Sequence, residues 1–166
     1  AAIGQSDNNY TTVALSRYVT AVASGKKYNY QLMNKIVDAD GKTVKKYKAD
    51  YEDISDTLTS SQWDALHSGM RQVVSTMEGF DIPVAGKTGT AQQTGHANHG
   101  LFIGYAPYDD PEITIAVRIA NGYSSHNAAT AARNVISYYY KETSMKDIKE
   151  MKAAGVNGNT RNSVAD

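Results

Sequence analysis

The densest chemistry in this 166-residue chain lies in AGKTGTAQ at 85–92. One ammonium (Lys87), two hydroxyls (Thr88 and Thr90) and two glycines (Gly86 and Gly89) fall within residues 86–90. Two kinds of anion chemistry suit those types. Gly86, Lys87 and Thr88 read as the tail of a phosphate-binding loop, in which backbone N–H groups and a lysine cradle a phosphate. On an extended strand the same residues serve differently. The lysine places positive charge near an anionic substrate terminus, and the threonine hydroxyls donate to its carboxylate. The glycine lets a substrate backbone approach the strand edge. A backbone N–H just past that glycine can face a developing oxyanion, and one such donor is worth roughly 3 kcal/mol.

The phosphate-loop spacing fails. It requires a glycine, four residues, then Gly-Lys-Ser/Thr. The position that should hold the first glycine is Asp81, whose charge would repel a phosphate, and the nearest upstream glycine is Gly79. The loop must also run into a helix whose N-terminus faces the anion. The residues after Thr88, GTAQQTGHANHG, have no apolar stripe. A strand is the better setting, and residues 84–92 are strand-compatible after the helix-resistant Pro83.

The surrounding elements follow from periodicity. Residues 11–24 carry Leu15, Tyr18, Val19 and Val22 on one helical face, with Thr11 or Thr12 to cap the start and Gly25 to stop it. Residues 28–49 predict an exposed, Lys-rich hairpin in which YQLMNKIVD and KTVKKY flank an Asp40-Gly41 turn. A second helix spans 59–76, opened by a Thr59/Gln62 capping box and lined by Trp63, Leu66, Met70 and Val73. Residues 101–105 and 113–119 predict two strands joined through 107–112, the second with one buried face formed by Ile113, Ile115, Val117 and Ile119. A last helix follows the loop at 122–125, with Ala129, Ala132, Val135, Ile136 and Tyr139 as its stripe. Residues 141–166 read as a polar tail, a loose helix and then disorder, outside the unit at 1–140. Helices packed on a mostly antiparallel sheet make an α+β, or mixed αβ, domain.

Composition removes several function classes. Lys plus Arg equals Asp plus Glu, 17 against 17, so no long-range field draws the chain to nucleic acid or an anionic membrane. Cysteine is absent, which excludes disulfides and thiolate metal sites. No apolar run approaches the length of a membrane span, and no signal peptide is visible. The chain starts at Ala1 without an initiating Met, which suits a fragment or a processed product.

Lys-Thr-Gly is a signature of serine β-lactamases and penicillin-binding proteins, and the likeness is wider than three residues. The chain resembles the C-terminal half of the transpeptidase domain of class B penicillin-binding proteins. AGKTGTAQ at 85–92 is similar to the family's third motif with its flanks. IGQ at 3–5 with Thr11, HGLFIGYAP at 99–107 and DDPEITIAVRIANG at 109–122 resemble its other segments, in the family's order. The resemblance covers residues 3–140. It implies that Lys87 sits against the serine of the family's second motif and helps proton traffic. It implies that Thr88 and Thr90 hydrogen-bond a substrate or β-lactam carboxylate, that Gly89 permits close approach, and that the Thr90 N–H is one arm of an oxyanion hole. The reaction implied joins peptidoglycan stem peptides through an acyl-serine, with no cofactor and no metal.

The serine itself is not evident. SGKK at 24–27 fits Ser-x-x-Lys, but Ser24 falls at a helix C-terminus, where the dipole disfavours an alkoxide. SDN at 6–8 fits Ser-x-Asn but precedes SGKK, which inverts the family order. Loss of the nucleophile costs a serine enzyme on the order of 10⁶ in turnover. The chain alone is therefore expected to be inactive, and competent only with a companion N-terminal segment of the same protein carrying the Ser-x-x-Lys and Ser-x-Asn motifs. The family also implies a location on the extracytoplasmic face of the bacterial membrane, anchored through an N-terminal segment. The competing expectation is a non-catalytic penicillin-recognition sensor or scaffold. His96 and His99, spaced His-x-x-His, are assigned to a loop or substrate cleft rather than to a metal, because no third ligand is near in sequence. Trp63 is assigned to the core, Arg118 to the surface, and Tyr139 to the interior within the run 138–140.

Overall fold

The computed structural model describes residues 9–150 apart from Thr76 and Glu78. Helix α1, Thr12–Ser24, starts where the Thr11 hydroxyl accepts the Ala14 N–H at 3.1 Å and stops at Gly25, whose φ of 65° is left-handed. Two short antiparallel ladders follow, one nested in the other. Strand β1, Lys26–Tyr28, pairs with β4, Tyr51–Asp53; between them β2, Lys35–Val37, pairs with β3, Thr43–Lys46, around a turn at Gly41. The expected hairpin is thus shorter and doubled: residues 30–34 pair with no strand, and the ribbon's base is a separate ladder. Its faces are exposed, as the lysines require. An exposed ion pair, Lys27 with Glu52, spans β1 and β4 and holds the Glu52 carboxyl below its ordinary range.

A 3₁₀ turn, Ser55–Thr57, leads into α2, Ser60–Ser75. The Thr59/Gln62 box forms: the Gln62 side chain accepts the Thr59 N–H at 2.9 Å, and the Thr59 hydroxyl accepts the Gln62 N–H at 3.4 Å. The buried stripe ends on Val74, with Val73 half-buried.

The main sheet contains β5, Ala85–Ala91, β6, His99–Ala106, and β7, Ile113–Ile119, in the order β5-β6-β7 and antiparallel throughout. Among the described residues β5 and β7 are therefore the rims. Alternation sends Phe102 and Ala106 to one face, where they join Val74, Val84, Ala128, Ala129, Ala132 and Ile136. It sends Tyr105 to the other, with Val19, Val22, Met70 and Ala85. Helix α3, Ser125–Tyr139, covers the first face, and α1 and α2 pack on the second.

That double cover changes three expectations. In β7 the isoleucines share partial burial with Thr114 and Ala116, because α1 lies over the opposite face and Thr20 bonds Thr114 hydroxyl to hydroxyl at 2.8 Å. In α1, Tyr18 is 56% exposed: the packed face is rotated toward Ala21, whose small side chain allows close approach. In α3, Val135 and Tyr139 are exposed and the buried line is Ala128, Ala129, Ala132 and Ile136. The alanines let that helix sit against the sheet, and Tyr140, not Tyr139, turns inward, donating toward the Ala106 carbonyl and the Glu112 carboxylate at 3.2 Å each. After Lys141 a short helix α4 forms at Met145–Glu150; the disorder expected beyond it lies outside the described residues.

Candidate active-site strand

The segment 85–91 is extended along its whole length and forms a rim of the main sheet. Lys87 pairs with Ile103, Thr88 with Phe102, Gly89 with Leu101 and Thr90 with Gly100. Pairing at every position fixes which side chain faces which way: Lys87 and Gly89 lie on the α1/α2 side, Thr88 and Thr90 on the α3 side. Lys87 is exposed and donates to the Thr88 carbonyl at 2.9 Å. Thr88, Gly89 and Thr90 are half-buried.

Both ends of the strand are held. At its start Arg71 of α2 donates to the Val84 carbonyl at 3.2 Å, and the Tyr108 N–H donates to the Pro83 carbonyl at 2.7 Å. Two glycines then face each other, Gly86 and Gly104. A Cβ on Gly86 would lie 2.5 Å from the Phe102 ring, and one on Gly104 would lie 2.8 Å from the Ala85 carbonyl oxygen. The Phe102 ring thus occupies the space that two side chains would need. At the far end the Ser124 carbonyl oxygen would lie 2.4 Å from a Cβ on Gly100. These glycines are structural. Sequence reasoning passed over Gly100 and Gly104, although two glycines four apart in an otherwise bulky strand mark close approach.

Gly89 differs. A Cβ there would meet only Leu101 Cβ, at an ordinary 3.7 Å, and its backbone is not left-handed. Neither packing nor backbone geometry requires glycine at this position.

The other sequence candidates separate from this strand. Ser24 lies at the C-terminal end of α1, where its hydroxyl donates to the Thr20 carbonyl at 2.7 Å, and Lys27 of the same SGKK engages Glu52 instead. SDN at 6–8 lies outside the described residues. His99 accepts the Asn121 N–H on Nδ1 at 3.0 Å; His96 is exposed in the loop before it. Arg118 is exposed. Trp63 is only half-buried: its indole N–H donates to the Ser55 carbonyl at 2.9 Å, and its ring borders an apolar groove of about 660 Å³ with Tyr18, Val22 and Leu66. None of Lys87, Thr88, Gly89 and Thr90 lines that groove.

The penicillin-binding protein transpeptidase domain family matches residues 1–137, most of the chain and all of the strand just described. The chain belongs to that family. Among its relatives is peptidoglycan D,D-transpeptidase MrdA of Haemophilus influenzae, 30% identical over 166 residues; the match takes in 84% of this chain but 25% of MrdA. The chain thus spans about a quarter of that relative's length. Penicillin-binding protein 2 of Pseudomonas aeruginosa, solved with the compound WCK 5153, superposes with a TM-score of 0.63 at 29% identity, over 82% of this chain and 32% of that one. The imipenem acyl-enzyme of penicillin-binding protein A from M. tuberculosis gives 0.69 at 23% identity, over 83% and 32%. The α+β architecture is therefore that of a penicillin-binding transpeptidase domain. No helix among the described residues is long and apolar enough to cross a membrane.

Proposed function

We propose that this chain supplies the Lys-Thr-Gly edge of a peptidoglycan D,D-transpeptidase whose nucleophilic serine lies on another segment of the same gene product, on the extracytoplasmic face of the membrane. The observation that carries the reading is Gly89. Glycine inside a strand costs roughly 0.5–1 kcal/mol against alanine, and here the fold gains nothing from it. A ligand backbone running along the rim does gain, because it can approach β5 without meeting a Cβ.

The chemistry then divides among neighbours. The Lys87 ammonium draws the substrate's terminal carboxylate and lowers the cost of proton transfer at the family's serine. The Thr88 and Thr90 hydroxyls donate to that carboxylate, and the Thr90 N–H faces the oxygen of the attacked carbonyl. The serine oxygen bonds to the carbonyl carbon of a D-Ala-D-Ala bond, D-Ala leaves with a proton, and an amine from a second stem peptide takes the acyl group and restores the serine. A β-lactam acylates the same serine and stops there; an acyl-enzyme with imipenem is known for penicillin-binding protein A, which shares this fold.

The test uses a fluorescent penicillin and the full gene product. Labelling is expected in the full protein and absent from the 166-residue chain alone. Gly89→Ala should leave the melting temperature unchanged or slightly raised while slowing acylation roughly 10²–10³-fold, the range of a transition-state donor that the ligand no longer reaches. Unchanged acylation in Gly89→Ala would remove the main support. A full protein that never labels would favour the sensor or scaffold role.

A further inference from the structure

The loop between β7 and α3 has the most constrained backbone near the candidate site. Asn121 has φ 52° and Tyr123 φ 66°, two of the three non-glycine residues with positive φ among the described residues. Asparagine tolerates this region, whereas a bulky tyrosine there is strained. The Tyr123 ring is 47% exposed, so burial offers little compensation. What holds the loop is a set of hydrogen bonds to the start of β6. The Asn121 N–H donates to His99 Nδ1 at 3.0 Å, and the Tyr123 N–H donates to the Asn98 carbonyl at 3.0 Å. The Asn127 side chain adds a bond to the Gly122 carbonyl at 2.9 Å.

The held loop presses on the strand. It brings the Ser124 carbonyl against Gly100, the residue that pairs with Thr90. His99 itself pairs with Ala91, the next residue along. We infer that His99 is a positioning residue for Thr90: its Nδ1 latches the strained loop at 121–124, and the latched loop fixes the β6 end against which Thr90 is registered. The inference rests on the reading of Thr90 as a substrate and oxyanion contact. It requires an unprotonated Nδ1, which places the neutral ring's proton on Nε2.

Three variants of the full gene product test it. Asparagine carries an acceptor where Nδ1 stands, glutamine carries one where Nε2 stands, and alanine carries none. His99→Ala and His99→Gln should speed amide exchange at Asn121 and Thr90 and slow penicillin acylation, each roughly three- to tenfold, the worth of one hydrogen bond. His99→Asn should restore both. Wild-type exchange and acylation in His99→Ala, or equal behaviour of the asparagine and glutamine variants, would overturn the latch. If the alanine variant fails to fold, the asparagine–glutamine contrast decides. If the wild-type protein does not react with penicillin, the transpeptidase reading falls, and exchange at Asn121 and Thr90 still decides the latch.

Discussion

Tyr105 is 1% exposed, and its hydroxyl has no hydrogen-bond partner among the described residues. Its ring packs with Val19, Val22, Met70 and Ala85 and meets the His67 ring edge-on at 6.0 Å between centroids. Tyr105→Phe keeps that packing and removes only the unpaired oxygen. A buried hydroxyl without a partner costs about 1–3 kcal/mol, so the variant should be more stable by that amount. The melting temperature should rise roughly 2–4 °C per kcal/mol in a chain of this size. A second arm uses pH. Burial, with Tyr108 adding to it, pushes the Tyr105 hydroxyl from its ordinary 10 up to about 12. A raised value means that stability from the neutral phenol is complete below pH 10 and is lost as pH climbs through about 12. The interval corresponds to roughly 2–3 kcal/mol, so the advantage of phenylalanine should widen across it. Calorimetry at pH 7 and urea titrations from pH 9 to 12 measure both. A variant that melts at or below the wild type at pH 7 would show that the hydroxyl has a stabilising partner. Parallel stability curves to pH 12 would show that it ionises without penalty in the folded state.

Two further outcomes are expected. Gly86→Ala forces a methyl into the Phe102 ring and the Ile103 carbonyl, at 2.5 and 2.7 Å; overpacking of this kind costs roughly 1–3 kcal/mol, read as a lower urea midpoint, in contrast to the neutral Gly89→Ala. Thr59→Ala removes half of the α2 capping box and should lower stability by about 1 kcal/mol, while Thr59→Ser restores it in the same melt.

Local chemistry made much of this fold legible. The caps at Thr11, Gly25 and Thr59, the turn at Gly41 and the strand at 113–119 depend on a few adjacent residues, and each formed as its residue types dictate, although the alternation in 113–119 did not become a single buried face. The rim strand was legible for the same reason: Pro83 excludes helix, and the threonines favour extension. Facing was harder. Whether α3 buries Val135 or Ala128 depends on how closely the helix can approach the sheet, and the winning face is the one with the smallest side chains. Propensity and periodicity do not contain that distance. The His99 latch was invisible in sequence because its partner is a backbone N–H at Asn121, reached only through the β6–β7 pairing. An asparagine and a tyrosine flanking Gly122 give no periodic signal.

A three-stranded sheet ends in two places, and here they are not equivalent. β6 alone separates them, so the outer lines of β5 and β7 run about 10 Å apart. One carries the lysine and threonines; the other, Ile113–Ile119, offers seven residues of regular backbone with mostly aliphatic side chains. Among the described residues no strand pairs with the outer side of β7, so that rim stays open to a further strand while, in the function proposed above, an extended ligand lies along β5. Enlargement of the domain at β7 and the ligand capture proposed at β5 draw on different backbone hydrogen bonds.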